Sequence, residues 1–105
     1  MDNVLRKLTE IIRSREDADP KRSYVASLIE NGEDYILKKL GEEAAETIIA
    51  GKNDDVTELV NETADLWFHS LVLLRYKGVE LEDVLKELES RFIRSGFDEK
   101  RERKN

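Results

Sequence analysis

The stretch NDDVTELVNETADLWFHSLVLLRYK, residues 53–77, restricts the fold more than any other part of the chain. At roughly 100° per residue, Val60, Ala64, Trp67, Leu71 and Leu74 form one seam with alternating steps of four and three. Glu58, Glu62, Asp65, His69 and Tyr76 lie on the opposite side, flanked by Leu59, Leu66 and Leu73. Such a helix has two sides to cover. Other amphipathic helices of a small chain can cover one; covering both points to a homo-oligomer, most simply a two-fold dimer. The alternative is a central helix buried within a single chain.

The rest of the sequence supplies the covering helices. Val4, Leu5, Leu8, Ile11 and Ile12 share a face of a first helix expected from about residue 3 to 16. EDADPKRS then breaks that helix, because Pro20 disfavours helix in the residue before it. SYVASLIENG reads as a short helical turn ended by Asn31 and Gly32. A long helix is expected from about Glu33 to Ala50, stopped by Gly51. Asn53 or Asp54 is the expected N-cap of the next, which continues to Lys77 with Gly78 as its stop. A last helix, about Leu81 to Arg94, carries Leu81, Val84, Leu85, Leu88 and Phe92 on one side. Nothing reads as a strand. The expectation is therefore an all-α chain of four to five helices, one domain over residues 1–105 with a basic tail from about 95.

Composition excludes several functions. The net charge of -6 opposes general nucleic-acid binding, which needs basic surface against phosphate. The longest uncharged run, Leu66 to Leu74, is too short to cross a bilayer. The opening MDNVLRKLTE lacks the apolar core of a signal peptide, so a cytoplasmic setting is expected. Without cysteine there is no disulfide, thiolate nucleophile or thiolate metal ligand.

The chemistry-bearing residues are acidic. Lys39, Glu43 and Glu46, at i, i+4 and i+7, share a stripe beside the apolar face of Ile36, Leu37, Leu40, Ala44 and Ile48, while Glu42 is turned about 100° away, toward the surface or the rim of a site. Glu62 and Asp65 share a face of the next helix. Packed antiparallel, as the short connection GKND requires, the two helices bring both carboxylate pairs to one groove. Convergent carboxylates without cysteine suit a hard cation, Mg²⁺ or Mn²⁺, that can also grip a polyphosphate. A solvated acidic face is the competing explanation, and Lys38 and Lys39 stand four residues before Glu42 and Glu43 to relieve part of the repulsion. No Lys or Arg lies between Asn53 and Leu74, so nothing local pairs Glu62 and Asp65. His69 fits a hydrogen-bonded histidine behind the site better than a ligand.

E-E-x-x-E followed by E-x-x-D on the next helix resembles the all-α nucleoside triphosphate pyrophosphohydrolase superfamily, which includes MazG-type enzymes and dimeric dUTPases. Within it, SY with the later NG, ILKKLGEEAAE and the RSG-x-x-EK tail look most like the phosphoribosyl-ATP pyrophosphohydrolase family. That resemblance implies that Glu43, Glu46, Glu62 and Asp65 hold Mg²⁺, with Glu42 a further acid at the rim. It implies hydrolysis of 1-(5-phosphoribosyl)-ATP to 1-(5-phosphoribosyl)-AMP and pyrophosphate, the second step of histidine biosynthesis. Substrate contacts fall on Lys39 and Lys38, on Ser23 and Tyr24, and on Arg94, Ser95 and Lys100. The family's four-helix-bundle-like dimers agree with the two-sided helix, and a separate phosphoribosyl-AMP cyclohydrolase is expected to take the product. Val25, where threonine is common, the bulky Trp67 and the RERKN ending depart from the pattern without removing a ligand. Two other functions remain open on the residues alone: a house-cleaning pyrophosphohydrolase of ordinary or damaged nucleoside triphosphates, and a non-enzymatic helical interaction protein.

Overall fold

A computed structural model describes residues 2–92 as five helices: α1 (Asp2–Arg15), α2 (Tyr24–Asn31), α3 (Glu33–Lys52), α4 (Val56–Tyr76) and α5 (Leu81–Phe92). There is no strand among the described residues. None of their helices is long and apolar enough to cross a membrane.

The α3–α4 hairpin is the frame. Its two helices make the most extensive packing in the molecule, and the connection between them is three residues long, so they run antiparallel. Asp55, not Asn53 or Asp54, caps α4: its carboxylate accepts from the Glu58 N–H at 3.1 Å. Asp54 instead takes the left-handed backbone that turns the chain, with φ of 56°. Gly51 does not stop α3, which runs through it to Lys52.

α1 and α2 cover one half of this hairpin. Ile12, Leu28, Ile36 and Val72 are completely buried where the four helices meet, joined by Val25, Leu71 and Leu81. The short α2 is held by Ser23, whose hydroxyl accepts from the Ala26 N–H at 3.2 Å. It ends at Gly32, where φ of 92° lets the chain turn directly into α3. Beyond Leu81, α5 is tied to α1 mainly at its start, by Arg6–Glu82 and Arg13–Glu80 ion pairs of 2.7 and 3.2 Å.

The two-sided helix is covered unevenly. Leu71 is buried and Leu74 half-buried, but Val60, Ala64 and Trp67 of the same seam are exposed. Leu37 and Ile48, expected on the inner face of α3, are exposed as well; α4 lies against the Ile36, Glu43 and Ala50 side instead. Sequence periodicity marks apolar stripes, and only the packing of neighbours decides which stripe is covered.

Candidate active site

Three residues of α3 are buried, Ile36, Glu43 and Ala50, each seven positions after the last. Seven residues are nearly two full turns, so these three form the line along which α3 meets α4. Glu43 is therefore a carboxylate in a position whose neighbours are apolar, and it is only 9% exposed. On α4 the corresponding line passes through Glu62 and His69, again seven apart, with Asp65 one turn along.

One carboxylate oxygen from each of Glu43, Glu62 and Asp65 lies within 4.8 Å of the others. Glu46, one turn after Glu43, is in hydrogen-bonding reach of the Glu62 carboxyl. Glu43 Oε2 and Glu62 Oε2 are buried without any hydrogen-bond partner. A buried carboxylate oxygen with no donor costs free energy, and this cluster contains two. This crowding pushes the Glu62 pKa up to about 8, first through hydrogen bonding with the Glu46 and Glu43 carboxylates, then through burial. The donor set consists of oxygens alone, with no cysteine and with the sole histidine engaged elsewhere, and it fits Mg²⁺ or Mn²⁺. A cation held by these carboxylates would supply the positive charge the group lacks.

The other residues expected at the site fall around this cluster. Lys39 is half-buried and pairs with the exposed Glu42 at 3.3 Å, an interaction that raises the Lys39 pKa and keeps it cationic. Glu42 is thus at the surface, outside the close group of three. Lys38 is exposed. The Ser23 hydroxyl is engaged in capping α2, whereas the neighbouring Tyr24 is half-exposed, close enough to Lys39, Glu43 and Asp65 to feel their charges. Arg94, Ser95, Lys100 and the basic tail lie outside the described residues.

Sequence reasoning does not join Tyr24 to His69. The tyrosine hydroxyl and His69 Nε2 are 2.9 Å apart across 45 positions of chain, and His69 Nδ1 is 2.7 Å from the Asp65 carbonyl oxygen. Nor does it place Asn53 and Asp55 beside the acids: with Glu46, Glu58 and Glu62 they line an open cavity of about 320 Å³ continuing from the cluster toward the hairpin turn. Glu58, one turn before Glu62, is legible on that side. The larger cavity, about 750 Å³, lies elsewhere, between α1, α5 and the exposed part of the α4 seam, and its walls are mostly apolar, with Arg6 and Glu89 among them.

Fold and site together define an all-α protein whose carboxylates converge between two antiparallel helices. The chain belongs to the phosphoribosyl-ATP pyrophosphohydrolase family, whose model matches residues 5–92. It is 53% identical over 102 residues to the phosphoribosyl-ATP pyrophosphatase of Chromobacterium violaceum, covering 97% of this chain and 94% of that one. It is 51% identical to that of Methylococcus capsulatus, with 97% of each chain covered, and 48% identical to that of Vesicomyosocius okutanii over the full length of both.

Proposed function

We propose that this chain hydrolyses 1-(5-phosphoribosyl)-ATP to 1-(5-phosphoribosyl)-AMP and pyrophosphate, as the names of its relatives indicate, in the second step of histidine biosynthesis. The observation that carries the reading is the pair of orphaned buried oxygens, Glu43 Oε2 and Glu62 Oε2, within one group of three carboxylates. Glu43, Glu62 and Asp65 would hold Mg²⁺, or Mn²⁺, with Glu46 completing the set and Glu42 at the rim. Bound there, the cation supplies positive charge to the triphosphate and makes the attacking water more acidic.

The chain's own groups orient the substrate. Lys39 offers a fixed positive charge beside the acids and is the proposed phosphate contact, seconded by Lys38 on the same helix. Tyr24 faces the cluster from α2, next to Ser23, and Arg94, Ser95 and Lys100 are proposed to add contacts from the tail. Water adds to phosphorus at the α,β-phosphoanhydride, the bridging P–O bond breaks, and pyrophosphate leaves. The carboxylates of α3 and α4 are the groups within reach to accept the water's proton.

The working unit is proposed to be a homodimer packed as a four-helix bundle. The exposed Val60, Ala64 and Trp67, continuous with the apolar cavity lined by Leu5, Leu8, Leu85 and Leu88, support this, because a surface of that kind is usually an interface. One domain over the given residues, a cytoplasmic location and a phosphoribosyl-AMP cyclohydrolase acting next on the product belong to the same proposal.

The test is pyrophosphate release from phosphoribosyl-ATP and from a panel of ordinary nucleoside triphosphates, with Mg²⁺ and with EDTA. Release from phosphoribosyl-ATP alone, lost in EDTA and lowered on the order of 10²–10³-fold in Asp65→Asn and Glu46→Gln, is the expected result. Comparable turnover of the panel would assign the protein to house-cleaning hydrolysis. Silence on every substrate, with no divalent ion raising the melting temperature, would leave a helical interaction protein.

A further inference from the structure

Lys39 has two carboxylates within reach along α3. Glu42, three residues on, and Glu43, four residues on, both lie one turn away. By its surroundings Glu43 is the stronger attractor: it is buried, it belongs to the close group with Glu62 and Asp65, and its Oε2 has no hydrogen-bond partner. A carboxylate shielded from water draws a cation harder than one in solvent. The ammonium nevertheless stands on Glu42, with Nζ 3.3 Å from Oε1, and among the described residues no ion pair joins it to Glu43. Remoteness is not the reason, since Lys39 and Glu43 are both near enough to the Tyr24 hydroxyl to act on its charge.

The choice of partner matters because an ammonium and a divalent ion need the same oxygens. A lysine seated on Glu43 would have to be displaced before any metal could use that carboxylate. We propose that Glu42 is a positioning residue rather than a metal ligand: by holding Lys39 at the surface it keeps the ammonium off Glu43 and leaves the buried carboxylates free for the cation. The Lys39–Glu42 pair is partly exposed, its side chains 26% and 44% accessible, and pairs of this kind contribute little to stability. That weakness suits the task, because a triphosphate arriving beside the acids takes the ammonium from Glu42 at small cost. The inference rests on the proposed function and gives Glu42 a role exerted through Lys39 instead of at the ion.

The experiment is Mn²⁺ binding without substrate, followed by electron paramagnetic resonance in wild type, Glu42→Gln, Lys39→Met and the double variant Glu42→Gln/Lys39→Met. Glu42→Gln is expected to weaken Mn²⁺ about three- to tenfold, because Lys39 moves to Glu43 and competes. Lys39→Met is expected to change the affinity by less than about twofold in the wild-type background, yet to recover most of the loss in the Glu42→Gln background, so that the two substitutions are coupled. A crystal structure of metal-free Glu42→Gln is expected to place Lys39 Nζ on the Glu43 carboxylate.

A loss in Glu42→Gln that Lys39→Met does not recover overturns the inference and makes Glu42 a ligand. An equal gain from Lys39→Met in both backgrounds overturns it as well, because charges acting only through their field are additive. So does unchanged affinity in Glu42→Gln, or a Lys39 side chain left in solvent in that variant's crystal structure. Pyrophosphate release from phosphoribosyl-ATP by the wild type separates the two readings. An active wild type without the Lys39–Glu42 coupling removes the inference alone, whereas a wild type that binds no Mn²⁺ and releases no pyrophosphate overturns the proposed function and the inference with it.

Discussion

The two ends of the α3–α4 hairpin are made of the same kind of helix and solve opposite problems. At the end near α1 and α2, Ile36 and Val72 pack with Ile12 and Leu28 into a dry core in which all four side chains are completely covered. Toward the turn the α3 contact line continues through Glu43, and the facing positions on α4 are Glu62 and Asp65. One end maximises burial of apolar surface; the other keeps charge where apolar side chains would be more stable. A helix pair stabilised well at one end can tolerate an unfavourable cluster at the other, and that cluster makes this end the proposed functional one.

Substitutions at the two ends should therefore act on different quantities. Leu28→Ala should lower stability by about 2–5 kcal/mol, the range for emptying a tightly packed leucine site, with the folded fraction keeping its turnover. Glu62→Gln should do the reverse: activity falls on the order of 10²–10³-fold, while the melting temperature in EDTA rises above about pH 8, where Glu62 is ionised and the substitution removes a charge from a repelling group. Paired thermal melts and pyrophosphate assays check both, and a Glu62→Gln protein that melts lower in EDTA would break the contrast.

The pH dependence sharpens it. Glu62 titrates near 8 in the folded chain against an ordinary value of 4.5, so between those values the folded state keeps a proton that the unfolded state has lost. Stability of the metal-free protein accordingly falls as pH rises from about 4.5 to about 8 and levels off above. Mg²⁺ should flatten this fall, and its binding at pH 7 should release a proton, measurable as a buffer-dependent heat in calorimetry.

The smallest effect comes from another orphaned oxygen. Thr9 Oγ1 on α1 is also buried without a partner, but beside leucines, Arg13, Arg75 and a single carboxylate, Glu80, rather than in a cluster of acids. Thr9→Val should raise stability by about 1 kcal/mol or less and leave turnover unchanged. An unsatisfied atom is a sign of ligand binding only where its neighbours share its need.

Much of the architecture is readable in the chain. Helical periodicity and the glycines at 32 and 78 place the helices to within a few residues, and the i, i+3 spacing of the acids puts them on one groove. The cap of α4 is not readable, because Asn53, Asp54 and Asp55 are all good caps, and only the left-handed turn at Asp54 selects Asp55. Leu37 and Ile48 read as inward-facing because a helix with several partners has more than one apolar stripe. The Tyr24–His69 bond is hidden for a different reason: it joins two helices through chain far apart in sequence, and no local pattern encodes such a pair.

The three-residue turn between α3 and α4 has a kinetic consequence. The clustered acids all belong to one hairpin, so the site closes over a short loop, with little loss of chain entropy and with no need for the distant N-terminal helix. We expect a divalent ion present during folding to meet these acids early and to act as a nucleus for the hairpin.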